Sequence, residues 1–296
     1  MVIRLGMIGY SEGNGHPYSF SAILNGFSKD ILKLKSSWPN IDRYLNMSET
    51  TSPLDNRFKV THINAGSGKS EGLGKEIAKK FDVEYIFKDY RDFFSDVDAL
   101  IVAHDDPITR IPIEDEIEKS FTGIVFYDKP LTNSASRLKK KLKDMEYGRT
   151  WCAAGMRFTR SFDDMVAQIE RKKCKFSFTI PNSWEKYGIH VLEFLIQKKI
   201  IDLYSSCEFK KNGEKIDVYL IKEHICSINL KKGYQNITMS IDDSGEEVHL
   251  TDNFYSFQEM LKIWLNSFST DGILAVPEKH LQITERSNQL LLRGVI

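Results

Sequence analysis

The sequence is short of cysteine, and the four it has are not spaced to work together. Cys152, Cys174, Cys207 and Cys226 are scattered, with no Cys-x-x-Cys pair. This excludes a thiolate zinc site and a disulfide framework, and the four read as reduced thiols. Long apolar runs are also missing. No stretch approaches the roughly 18 consecutive apolar residues that a membrane helix needs. Neither sign of charge dominates, because 41 basic and 41 acidic side chains leave a formal net charge of zero. That argues against nucleic acid or an anionic membrane as the main partner. Lys139-Lys140-Lys141 is a local basic run, but it lies in a helical stretch and reads as a solvated face. There is no internal repeat and no low-complexity segment. The chain opens with Val2-Ile3-Arg4-Leu5-Gly6-Met7-Ile8-Gly9, which reads as a strand rather than a signal peptide. A cytoplasmic location is the expectation.

What is present suits an ordinary globular protein. Of 296 residues, 41% are hydrophobic and 28% charged, enough chain for two domains. The first half alternates strand and helix patterns. Strands are expected at 2–8, 58–63, 83–87, 98–103 and 124–127, and helices at 18–27, 71–81, 90–94 and 112–119. Residues 28–56 are polar, carry Pro39 and Pro53, and read as an irregular insertion. Such alternation implies right-handed crossovers and a parallel sheet. The second half differs. A helix near 134–146 leads to strands near 151–155 and 175–180 and a helix near 187–198. Period-two runs follow at 205–210, 215–222, 225–231, 234–241 and 246–250. Asn212-Gly213, Lys232-Gly233 and Ser244-Gly245 are turn signals between them. These runs read as an antiparallel meander, closed by helices at 254–268 and 278–292.

Two glycine-bearing turns are candidates for holding phosphate. Strand one ends at Gly9-Tyr10-Ser11-Glu12-Gly13-Asn14-Gly15-His16 and runs into a helix. Glycines there permit a tight turn and close backbone approach, and a helix start attracts anions. The spacing is G-x-x-x-G-x-G rather than the strict G-x-G-x-x-G. Gly66-Ser67-Gly68-Lys69-Ser70 looks like a P-loop tail, but Ile63 stands where that pattern needs its first glycine. It reads instead as the loop after strand two. That strand ends in His62-Ile63-Asn64 with no carboxylate, so Asn64, Ser67 and Lys69 face the sugar end of any bound dinucleotide, with a lean toward NADP over NAD.

The most informative stretch is Gly123-Ile124-Val125-Phe126-Tyr127-Asp128-Lys129-Pro130. Four apolar residues suit a buried strand. In open α/β sheets ligands bind beyond the carboxyl ends of the strands, where Asp128 and Lys129 stand. Pro130 restricts Lys129 toward extended geometry.

Together these pieces resemble the Gfo/Idh/MocA oxidoreductase family, whose members include glucose-fructose oxidoreductase and inositol dehydrogenase. The resemblance rests on the strand-one glycine turn with His16, on Asp96-Val97-Asp98-Ala99-Leu100-Ile101-Val102-Ala103, on Tyr127-Asp128-Lys129-Pro130 and on Tyr187-Gly188-Ile189-His190-Val191-Leu192-Glu193. It covers nearly the whole chain, in order. Three positions depart from the family pattern: Asp128 replaces a glutamate, His104-Asp105 replaces Thr-Pro, and Lys186 replaces an acidic residue. The resemblance implies an α/β fold with an N-terminal Rossmann dinucleotide-binding domain at 1–130. An α+β domain with a mainly antiparallel sheet follows at 131–296, for substrate binding and association, with the last helix packing back on the first domain. It implies hydride transfer between NAD or NADP and a sugar, sugar nucleotide or polyol carbon. Lys129 and His190 are the implied catalytic residues. Gly9, Tyr10, Ser11, Glu12, Gly13, Gly15, Asn64, Ser67, His104, Asp105, Asp128 and Lys129 are the implied cofactor contacts. Arg157, Trp184 and Lys186 line the implied substrate side, and no metal is expected. A homo-oligomer through the C-terminal sheet is also implied. Two other readings stay open: a dinucleotide-dependent lyase or glycosidase in which hydride leaves and returns, and a non-catalytic dinucleotide-binding regulatory protein.

Overall fold

The computed structural model describes residues 2–11, 14–33, 36–66, 72–172, 174–181, 183–220, 223–234, 236–242, 245–269 and 271–294. The first sheet holds β1 (Ile3–Ile8), β2 (Phe58–Asn64), β3 (Tyr85–Phe87), β4 (Ala99–Val102), β5 (Ile124–Tyr127) and β6 (Thr150–Cys152). All its pairs are parallel, in the order β3-β2-β1-β4-β5-β6. The order reverses between β1 and β4, and that switch point opens the crevice in which such sheets bind ligands.

Helices α1 (His16–Asn25), α2 (Pro39–Met47), α3 (Leu73–Phe81), α4 (Ile111–Ser120) and α5 (Ala135–Glu146) belong to this half. Helix α8 (Asn253–Asn266) returns to it from the end of the chain. Side chains alternate across the sheet, as the pleat requires. Leu5, Met7, Ile101, Phe126 and Trp151 cluster with Phe20 of α1, Ile77 of α3 and Trp264 of α8. Ile8, Leu100, Val102, Val125 and Tyr127 cluster with Ile117 of α4 and Leu138 and Met145 of α5. Both faces are covered, which is why these strands read as unbroken apolar runs.

The second sheet holds β7 (Phe176–Pro181), β8 (Cys207–Asn212), β9 (Lys215–Leu220), β10 (Glu223–Lys231), β11 (Thr238–Ile241) and β12 (Glu246–His249). Its order is β12-β11-β7-β10-β9-β8. The sheet is mainly antiparallel, but it is not a simple meander. β7 lies between β11 and β10 and runs parallel to β10. Phe176, Phe178 and Ile180 of β7 are all buried, so the most apolar strand takes the middle. The charged β8 and β12 take the edges, where exposed strands are best protected by charge.

Three local expectations change. Residues 28–56 are not simply irregular, because they contain a 3-10 turn at Ile31–Lys33 and helix α2. Helix α6 (Asp163–Lys172) fills the stretch between the expected strands at 151–155 and 175–180, burying Met165, Val166 and Ile169. The first sheet also continues beyond residue 130, since β6 pairs with β5 through a further crossover. Helices α7 (Trp184–Gln197) and α9 (Glu278–Arg293) close the second half. His280 of α9 stacks on Trp151 of β6 at 3.8 Å, so the last helix touches the first sheet.

A buried carboxyl sits at the junction of the halves. Glu193 of α7 is fully buried, and its Oε2 accepts the Ala154 amide at 3.0 Å. Burial raises its pKa to about 7, against the opposing pull of Arg157 and that amide. The folded value lies above the ordinary 4.5, so the group costs stability as pH rises from about 4.5 to 7, and the cost is complete above 7. Glu193→Gln should therefore gain on the wild type by on the order of 2–3 kcal/mol between pH 5 and pH 8 in urea titrations. A gap between the two proteins that does not change with pH would contradict this.

Candidate active site

Three strand ends and the helices α1, α2 and α7 build the site. After β1 the chain turns at Gly9, whose φ is +82°. A Cβ there would lie 2.7 Å from His104 Cβ, so only glycine lets the turn press on the exit of β4. The Ser11 hydroxyl donates to Asp105, and the Asn14 amide donates to the Ala103 carbonyl. Asn14 Oδ1 in turn accepts the His16 amide at 2.9 Å, at the start of α1. Ile41 of α2 and Trp38 crowd the place a Cβ on Gly15 would take, so the insertion shuts against the same helix start.

After β5 the chain passes Asp128 and a cis Lys129-Pro130 peptide. Arg110, with no exposed surface, holds this turn. Its Nη1 donates to the carbonyls of Asp128 at 2.6 Å and His104 at 2.9 Å, and its Nη2 to those of Pro130 at 2.6 Å and Leu131 at 3.0 Å. Its Nε pairs with Glu114 at 2.6 Å. One planar fork thus fixes the ends of β4 and β5 together.

Asp105 is the electrostatic centre. Its Oδ2 lies 2.8 Å from Lys186 Nζ and 3.8 Å from Lys129 Nζ. Burial works to raise its pKa, but the two ammonium groups and His16 outweigh burial and hold it well below the usual carboxylate range. Asp128 behaves alike: burial opposes ionisation, and His16 and Lys129 overcome it. Its Oδ2 meets His16 Nδ1 at 2.5 Å, and its Oδ1 accepts the Lys129 amide at 2.8 Å. Lys129 is only 2% exposed, and its ammonium lies 5.2 Å from the centre of the Tyr187 ring. Helix α7 supplies Lys186, Tyr187 and His190. Burial, then the positive charge of Lys129, drives the His190 pKa well below 6.5. The ring is neutral at physiological pH, and its Nδ1 is buried without a partner among the described residues. These groups border a cleft of about 490 Å³ between the two sheets, whose walls also include Asn14, Ser19, Tyr44, Tyr234, Asn236, Asn253 and Phe257.

Of the expected site residues, Gly15, Asp105, Lys129 and His190 line the cleft. Gly9, Ser11, Asp128 and Lys186 support these directly. Glu12, Gly13, Ser67 and Lys69 lie outside the described residues. His104 is turned to Thr109, with Nε2 2.7 Å from its hydroxyl, and Tyr10 packs against the core, its hydroxyl unpartnered among the described residues. The Asn64 amide is spent on the Lys88 carbonyl at 2.8 Å, fastening β2 beside β3.

Two expectations are corrected. Arg157 does not face the cleft. It is buried at the junction of the halves, where Nη1 meets His280 Nδ1 at 3.1 Å. Trp184 is also buried, donating to the Leu291 carbonyl at 2.9 Å and packing over Gly188 and Gly294. Both are interior struts of α7 and its surroundings. Asn14, His16, Tyr187, Asn236 and Asn253 were not foreseen as site residues. For His16 a signal existed: it directly follows the glycine turn and begins the helix.

No protein-family model matches the chain, and a sequence comparison with curated proteins finds no match. Solved structures do match over the whole length. A Gfo/Idh/MocA family oxidoreductase from Vibrio cholerae covers 98% of this chain and 96% of its own, at 15% identity and a TM-score of 0.59. Myo-inositol dehydrogenase from Lactobacillus casei, solved with NAD(H) and myo-inositol, covers 100% and 95% at 11% identity and TM-score 0.57. The WlbA (WbpB) dehydrogenase from Thermus thermophilus, solved with NAD and UDP-GlcNAcA, covers 98% and 94% at 13% identity and TM-score 0.56. The chain therefore has the fold of the Gfo/Idh/MocA oxidoreductases, with a parallel Rossmann-type sheet and a second, mainly antiparallel one.

The residues present fit a dinucleotide. The start of α1, with no acidic residue in its first turn, lines the cleft beside Asp105 of the β4 exit, and the Gly9 turn leads into that helix from the β1–β4 switch point.

The Arg110 fork carries a direct expectation. Arg110→Lys keeps the charge but cannot satisfy four carbonyls in that geometry, and should cost on the order of 2–4 kcal/mol in urea unfolding. A loss below about 0.5 kcal/mol would mean that the turn holds itself.

Proposed function

We propose that the chain is an NAD(P)-dependent oxidoreductase acting on a CH–OH group of a sugar, sugar nucleotide or polyol. The observation that carries this reading is the shared cleft of Lys129 and His190, beyond the carboxyl end of β5 and against the start of α1. Solved structures of the same fold contain NAD(H) with myo-inositol and NAD with UDP-GlcNAcA.

Bound nicotinamide supplies the hydride acceptor. The remaining work falls to this chain's own residues. The Lys129 ammonium donates to the reacting oxygen and stabilises negative charge as the hydroxyl proton leaves. His190, neutral and with its ring partly stacked on Tyr187 at 6.0 Å, bonds that hydroxyl and exchanges its proton. Asp105 keeps Lys129 and Lys186 in place and offsets their charge, so the cleft accepts a neutral polyhydroxyl ring. Asn14, Asn236, Asn253 and the Tyr44 hydroxyl are suited to such a ring's hydroxyls, and Phe257 to its apolar face. Strand β2 ends without a carboxylate for a ribose 2′-hydroxyl, which favours NADP over NAD.

NADH and NADPH titrated against tryptophan fluorescence should each give saturable quenching, with NADPH the tighter. Silence toward both would end this reading. In Lys129→Ala, dinucleotide affinity should stay within about threefold while oxidation across a panel of polyols, sugars and sugar nucleotides drops at least about 100-fold. Turnover like the wild type's in that variant would remove Lys129 from the chemistry.

Association through the open face of the second sheet belongs to the same reading. That face is polar: Ser177 and Ser240 bond at 3.0 Å, and Ser227 donates to Asp217 at 2.6 Å. Light scattering should give a dimer or larger, and a strictly monomeric mass would exclude it.

A further inference from the structure

His190 has a weakness as a resting place for a proton. It is buried, no carboxylate bonds it among the described residues, and Lys129 shares its cleft. An imidazolium there is disfavoured by desolvation and by like charge. His16 lines the same cleft and does meet a carboxylate. Its side chain is 18% exposed, and its Nδ1 meets the buried Asp128 carboxylate at 2.5 Å. The ring is held in place by Phe20, stacked at 5.2 Å, and Phe257, edge-on at 5.1 Å. Asp128 cannot swing away, because its second oxygen accepts the Lys129 amide and Arg110 clamps its own carbonyl.

An ionised carboxylate is an acceptor only, so the proton between the two groups belongs to Nδ1. The neutral ring then carries its lone pair on Nε2, which has no partner among the described residues. A carboxylate behind the ring both fixes that tautomer and stabilises the cation formed on protonation.

We propose that the Asp128–His16 pair is a second proton-transfer group of this site, and that His16 Nε2 holds the proton released when the bound hydroxyl is oxidised. The inference rests on the hydride-transfer reading above. The step balances. The C–H bond breaks and its electron pair leaves as hydride to the bound nicotinamide. The O–H bond breaks, its electrons form the carbonyl, and its proton ends on Nε2 as an imidazolium paired with Asp128. In the reverse direction the same group returns the proton. His190 still bonds the hydroxyl and exchanges its proton, but it does not retain that proton, which comes to rest on His16.

Two measurements test this. Nitrogen-15 NMR of the full chain should show the His16 ring protonated at Nδ1 and bare at Nε2, and Asp128→Asn should shift that tautomer. A proton resident on Nε2 in the wild type would overturn the pair without reference to turnover. In His16→Ala, with thermal melting as the folding control, NADH or NADPH affinity should stay within about threefold and turnover should fall at least about 100-fold. Added imidazole should restore tenfold or more, which a structural role for the ring would not permit. His16→Gln, which fills the space without a titrating group, should show the same loss. Wild-type turnover in either variant overturns the proposal, as does a loss that imidazole does not rescue. Failure of the underlying reading is distinct, since the wild type would then bind neither dinucleotide.

Discussion

One buried guanidinium sets the shape of the strand ends. Arg110 reaches four carbonyls from two loops and one carboxylate, with no contact to solvent. Those loops carry Asp105 and Lys129, which line the cleft, and Asp128, which backs His16. Loops at strand ends are ordinarily the mobile part of an α/β fold. Here they are tied to the helix that follows β4, so the functional groups inherit the rigidity of the sheet.

Charge follows from that fixed frame. Asp105 and Asp128 are buried close to Lys129, Lys186 and His16, and each carboxylate stays ionised because cations outweigh its burial. Lys186 belongs to α7 and Asp105 to the exit of β4, so their 2.8 Å contact also joins the two halves of the protein across the cleft. A lysine where the family whose motifs the sequence resembles has an acid is therefore not an isolated oddity. It is the counterpart of an aspartate where that family has Thr-Pro, and the two departures compensate each other.

The Lys129 turn, the parallel sheet and the helix bearing His190 were legible because each is written in a contiguous stretch with the correct period. Other features depend on pairing across distance. The central place of β7 is decided by which strand is most apolar, not by chain order. The His16–Asp128 contact joins residues 112 apart. Arg110 gives no local sign of its role, since its partners are backbone carbonyls. Helix α2 escaped notice because it is only nine residues long and mostly polar. Trp184 was misjudged for a reason of helix phase. Gly188, one turn along, leaves a hollow that the indole fills, turning it inward rather than to the cleft.

Helix α2 stands outside the sheet order, yet Ile41 and Tyr44 wall the cleft. It is fastened by Tyr18, whose hydroxyl donates to Asp42 at 2.5 Å and accepts from Lys80 at 2.9 Å, and by Trp38 against the Tyr18 ring. The lining residues share in the fastening, Ile41 against Gly15 and Tyr44 through its hydroxyl on Ser19, but the Tyr18–Asp42 bond is separate from them. Substitutions at Ile41 and Tyr44 can change what the cleft admits while the Tyr18–Asp42 anchor and the strand ends stay as they are. The protein thus has a replaceable wall beside a fixed chemical floor, and selection can act on one without disturbing the other.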